Sequence, residues 1–133
     1  MRAHAAVVKE LDAELEAHHG LPLSSYDVLA TLAERPDGRM RMCDLADAVA
    51  LSRSGLTRLV DRLQREGLMA RAQCAHDARG AFAVLTETGR KRLEEARSRH
   101  REGLRRRFLG HFTDEELREL ARCLGRVDLT PGD

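Results

Sequence analysis

MCDLADAVALSRSGLTRLVDRLQREGLMARAQCAHDARGAFAVLTETG, residues 42–89, is the stretch whose reading decides the fold. Leu45, Ala46 and Val49 mark a short helix, and a break at Ala50-Leu51-Ser52 leads into Leu56, Leu59, Val60 and Leu63, the i, i+3, i+4, i+7 stripe of a second helix. Two short helices joined in this way predict a helix-turn-helix. Ser52 stands where an N-cap belongs, placed to accept the Gly55 N–H, and Gly67 stands where a helix-ending glycine belongs. With the apolar stripe turned inward, Arg53, Ser54, Thr57, Arg58, Asp61, Arg62 and Arg65 form the opposite face, rich in donors for phosphates and base edges. Any amphipathic helix has a solvated charged face, so the residues after the helix decide between the two readings. Leu68 to Cys74 and Ala81 to Leu85 read as two strands around His76-Asp77-Ala78-Arg79-Gly80, a hairpin with Arg79 at its tip beside a permissive glycine. The expected fold is mainly α with a small β-wing, a winged helix-turn-helix whose wing arginine suits a narrow minor groove.

These residues resemble the MarR (multiple antibiotic resistance regulator) family of transcription factors. The likeness is carried by Asp77-x-Arg79-Gly80 in the wing, by Val84-Leu85-Thr86-x-x-Gly89 after it, and by Leu51-Ser52-Arg53-Ser54-x-Leu56-Thr57-Arg58-Leu59-Val60-Asp61-Arg62-Leu63 before it. It implies a homodimeric DNA-binding regulator, with Asp77 steadying neighbouring arginines and Arg79 reaching the minor groove. Gly55 departs from the larger residue usual in the family's recognition helix. The expected DNA-binding set is Ser52, Arg53, Ser54, Thr57, Arg58, Arg62 and Arg79, with Asp77 and Gly80 shaping the wing.

Outward from the core, the 133 residues suit one domain, with the winged helix at about 24–89 and dimerisation helices at about 3–19 and 87–128. Ala5, Val8, Leu11 and Leu15 define the first helix, closed by Gly20-Leu21-Pro22. Ser24 is expected to cap the second helix in a capping box with Asp27, and Met40 to add a short strand to the wing sheet. Thr86 can cap a long helix to about Phe108 with an inner stripe of Leu93, Ala96, His100, Leu104 and Phe108; Thr113 and Glu116 then open a last helix with Leu117, Leu120, Leu124 and Val127 inward. A helix as long as a small domain is wide is expected to lean its far half on a second subunit, so Val8, Leu11, Leu15, Leu104, Phe108, Leu117, Leu120 and Leu124 are the expected dimer contacts.

Net charge is +1, which says almost nothing about a nucleic-acid partner; between Arg53 and Arg79, however, six arginines face three acidic residues. Three cysteines without a CxxC pair argue against a disulfide framework or structural zinc, and all three are expected as small core residues, with Cys43 as an oxidant sensor the alternative. No His-x3-His pair exists, and no metal or other cofactor is expected. No nucleophile elbow or phosphate loop suggests catalysis, so an enzyme is not expected. No apolar run could cross a bilayer, and a cytoplasmic location is expected. His100, on the apolar stripe, is either a hydrogen-bonded core histidine or, with Tyr26 and His18 or His19, part of a pocket for a small aromatic or phenolic ligand, which the resemblance implies. The functional expectation is a ligand-released repressor binding a pseudo-palindromic operator; the alternative is a winged-helix protein-interaction module without DNA binding.

Overall fold

Ser52 caps the second helix of the pair, as its position predicts. Its hydroxyl accepts the Gly55 N–H at 3.1 Å, and α4 runs Arg53–Arg65 with Leu56, Val60 and Leu63 buried. At its other end the Leu68 N–H returns to the Leu63 carbonyl at 2.9 Å and the Gly67 N–H to Gln64 at 3.0 Å, a closure that requires the left-handed Gly67, φ +76°. These details come from a computed structural model, which describes residues 2–74 and 77–127, with backbone alone at 74 and 77–79. The preceding helix, α3 (Met42–Val49), ends at Ala50 with φ +55°. A left-handed non-glycine residue costs about 1–2 kcal/mol, yet the corner is closed by the Leu51 N–H bonding back to Ala46 at 3.2 Å.

β1 (Arg39–Arg41), β2 (Met69–Cys74) and β3 (Asp77–Leu85) form an antiparallel sheet in the order β1-β3-β2. Met40 pairs with Ala83 and Met69 with Leu85 on the inner face, all buried, whereas Arg41 and Ala72 flank Phe82 on the outer face. The expected Met40 strand is thus present. The wing departs from expectation in one respect: β3 begins at Asp77, so Asp77 to Gly80 are strand and not loop, paired through a register shift at Gln73/Cys74. His76, the side chains of Asp77 and Arg79, and their expected roles lie outside the described residues.

The second helix corrects its expected cap. α2 runs Leu23–Ala33 from Pro22, with no side-chain cap from Ser24 and no box with Asp27. Asp12, on α1 (Arg2–His19), supplies the acceptor instead: its Oδ1 takes the Leu23 N–H at 2.7 Å and pins the two helices together. Pro22 suits this start because it has no N–H to satisfy.

Thr86 caps α5 (Glu87–Arg107) by accepting the Gly89 N–H at 3.0 Å, while its own hydroxyl donates to the Gly67 carbonyl at 2.7 Å. α1 lies along α5, and here the expected dimer contacts need correcting. Leu11 and Leu15 are 5% and 1% exposed, buried within their own chain and unavailable to a partner. Nor does the distal half of α5 stand clear of its own subunit. Gly103 is buried against α1, where a β-carbon would come within 2.6 Å of a Glu14 oxygen, and Arg107 bridges Glu14 at 3.0 Å and Glu10 at 3.1 Å. After a short turn at Leu109–His111, α6 (Asp114–Leu124) starts at the expected Thr113–Glu116 capping box and buries none of its residues.

Candidate nucleic-acid interface

The outer face of α4 presents Ser52, Arg53, Ser54, Thr57 and Arg58 exposed, beside the exposed Gln64 and Arg65. Thr57 donates its hydroxyl hydrogen back to the Arg53 carbonyl at 2.8 Å, leaving the oxygen's lone pairs outward as acceptors. Among the described residues no carboxylate forms an ion pair with Arg53, Arg58 or Arg65. Two arginines of the segment are spent within the fold. Arg71 on β2 holds Asp61 at 2.7 Å and the Gln64 side chain at 2.7 Å, which neutralises the acid on the α4 surface and ties the helix to the wing.

Arg62, a member of the expected binding set, is the other. Its guanidinium turns back to donate to the fully buried Ser25 hydroxyl at 2.7 Å, and the residue is half-buried. Position 62 lies one turn beyond Arg58 and about 40° further round the helix, and its bond to Ser25 braces α4 against α2. Sequence reasoning lacked the signal, because nothing in the order of residues tells which arginine meets Ser25.

On the outer sheet face, two residues not expected in the site stand beside it. The Arg39 guanidinium carbon lies 4.5 Å from the centroid of the Phe82 ring and that of Arg41 5.8 Å away, both within cation–π range.

Deeper in the molecule, Tyr26 and His100 come together, their ring centroids 4.4 Å apart and tilted by 42°. Burial pushes the Tyr26 hydroxyl up from its ordinary pKa and His100 down, and the buried His100 Nδ1 has no hydrogen-bond partner. His18, the other named candidate, is exposed. His19 is the inward one of the pair; its Nε2 is buried without a partner, and desolvation with nearby Arg99 holds its pKa low. The cysteines correct expectation too: Cys43 and Cys123 are exposed rather than in the core, and the Cys74 side chain lies outside the described residues. Among the described residues no three His, Cys, Asp or Glu side chains gather as a metal site, and no helix is long and apolar enough to cross a membrane.

A capped helix whose outward Arg53, Arg58 and Arg65 have no carboxylate partner among the described residues, set beside a three-stranded wing, defines the class of DNA-binding winged-helix regulators. The sequence profile of the MarR family matches residues 19–80. The fold is shared with AbsC, a MarR family transcriptional regulator from Streptomyces coelicolor, at 34% identity and a TM-score of 0.87, over 92% of this chain and 82% of that one. It is shared also with Sco3205, a MarR family regulator from the same organism solved in complex with DNA, at 32% identity and a TM-score of 0.89, over 92% and 80% of the two chains. The homoprotocatechuate degradative operon repressor of Escherichia coli is 29% identical over 123 residues, 86% of this chain and 81% of that protein. The chain belongs to the MarR family of transcriptional regulators.

Proposed function

We propose that the chain is a single regulatory domain, without catalytic activity, that acts in the cytoplasm as a homodimeric repressor. Each α4 enters a major groove of a pseudo-palindromic operator, two such grooves being about 34 Å apart, and each wing flanks it in the minor groove. The observation that carries this reading is the set Arg53, Ser54, Thr57 and Arg58, exposed on one face of a rigidly capped helix with no acid pairing its arginines among the described residues. Arg58 and Thr57 read base edges; Arg79 supplies a contact less dependent on sequence. A small aromatic or phenolic ligand enters beside Tyr26 and His100 and favours a dimer whose helices are wrongly spaced, so DNA is released by linkage.

Mobility shifts with the DNA upstream of the chain's own gene, repeated across salt concentrations, test the reading. A steep loss of affinity with salt is expected, because each neutralised phosphate releases counterions. Arg58→Ala is expected to cost about 1–3 kcal/mol on that DNA and to narrow the gap from a random duplex. Absence of any shift would leave the protein-interaction alternative standing. For the ligand, a panel of aromatic acids and phenols should raise the melting temperature and release DNA, and Tyr26→Phe should blunt both effects.

A further inference from the structure

Between α4 and the wing lies a notch of about 360 Å³, lined by Arg41, Cys43, Arg53, Thr57, Gly80 and Ala81, among others. Three elements meet there: the start of α3, the first turn of α4 and the middle of β3. Arg41 is the residue from which α3 departs, and Arg53 opens α4. Among the described residues neither has a carboxylate partner, and no ion pair engages Arg39. The Phe82 ring lies beneath Arg39 and Arg41, at 4.5 and 5.8 Å, so it holds two uncompensated guanidiniums on the sheet face next to the notch.

DNA geometry gives this notch an occupant. A protein that lowers a helix into the major groove and a wing into the neighbouring minor groove must straddle the sugar–phosphate strand that separates them. The strand passes through the gap between the two prongs. We propose that the notch seats one backbone phosphodiester of that strand, gripped by Arg41 from β1 and Arg53 from α4, with the Phe82 ring positioning Arg41 and Arg39 adding positive charge beside it. The inference rests on the DNA-binding reading and adds to it a third contact element, the β1 edge, which grips irrespective of sequence. A planar guanidinium offers two parallel donors to phosphate oxygens, the geometry that such a seat needs.

Fluorescence anisotropy with a random-sequence duplex of about three helical turns, titrated with salt, reads the seat directly. Loss of one phosphate contact per protomer is expected to flatten the slope of log K against log salt by about 0.9 each, so Arg41→Ala should flatten it by about two for a dimer. Arg41→Lys should keep most of the slope, and Arg41→Ala should weaken the random duplex and the upstream fragment equally. An unchanged slope in Arg41→Ala, with wild type binding normally, overturns the seat and leaves DNA binding intact. Wild type failing to bind either duplex overturns both. Cys43 provides a check on the unaltered chain, since its exposed thiol lines the notch. Saturating DNA is expected to slow its alkylation by iodoacetamide severalfold, with Cys123 as reference; equal rates with and without DNA also overturn the seat.

Discussion

His100 sits at half depth on α5 with its ring against Tyr26 and one nitrogen unpartnered, so its neutral form is the one that the fold accommodates. Burial lowers its pKa below the ordinary 6.5. A base whose pKa is depressed on folding binds fewer protons folded than unfolded, so stability is full above the unfolded value and falls as pH drops from 6.5 toward the folded value. The chain is therefore expected to lose melting temperature between pH 7 and pH 5. His100→Gln should remove part of that slope while keeping the ring contact partly filled, and a variant as acid-sensitive as wild type would show that the charge state of His100 does not matter. Glu14 responds in a different window. Its bond to Arg107 holds its carboxyl below 4.5, and that contribution survives until the carboxylate range is reached. At this scale the sequence is least readable. The polarity of Arg58 and Arg62 is identical in the chain, yet one is exposed and the other meets Ser25; Ala50 takes a left-handed turn where glycine or asparagine would have signalled one.

Elements were more legible, because their boundaries are written in local chemistry. Ser52, Thr86 and Thr113 each cap the helix that their position announces, and Gly67 closes α4. Where a cap is supplied from afar the reading failed: the α2 N-terminus is satisfied by Asp12, eleven residues upstream, and Ser24 and Asp27 merely resemble a local box. Both wing strands are legible in the sequence, but β3 starts at Asp77, four residues before the expected Ala81. The Thr-x-x-Gly run after the wing has a physical reason that pattern alone did not supply. Thr86 bonds both Gly67 and Gly89, and Gly89 packs so tightly that a β-carbon there would overlap the Leu68 carbonyl. This joint ties the start of α5 to the corner between α4 and β2. Gly89→Ala gains up to about 1 kcal/mol of helix propensity. Overpacking against backbone is expected to outweigh it, for a net loss of about 1–2 kcal/mol in urea unfolding. Equal or greater stability in the variant would mean that the α5 joint is looser than its geometry indicates.

At the scale of the whole molecule, α6 lacks a cover among the described residues. Its capping box makes a well-formed helix, yet the chain buries none of it; Leu124 and Val127 are 58% and 54% exposed, and Phe112 before it and Val8 on α1 are each 37% exposed. Leu104, Phe108, Leu117 and Leu120 are half-covered, so the two chain ends offer a broken apolar surface once Leu11 and Leu15 are assigned to the core. A helix with so strong an apolar stripe and no cover among the described residues gains little from folding alone. A second copy related by twofold symmetry would cover it and would set the separation of the two reading helices. Leu120→Glu with Leu124→Glu separates these roles. Because α6 contributes nothing to the buried core, the winged helix should keep its fold by far-ultraviolet circular dichroism, while sedimentation at micromolar concentration should show a monomer. Operator affinity should then fall by roughly 10²–10⁴, the advantage of two linked half-site contacts, with a smaller fall on random DNA. A double variant that sediments as a dimer would place the interface elsewhere, and a monomeric variant with undiminished operator affinity would mean that each reader works alone.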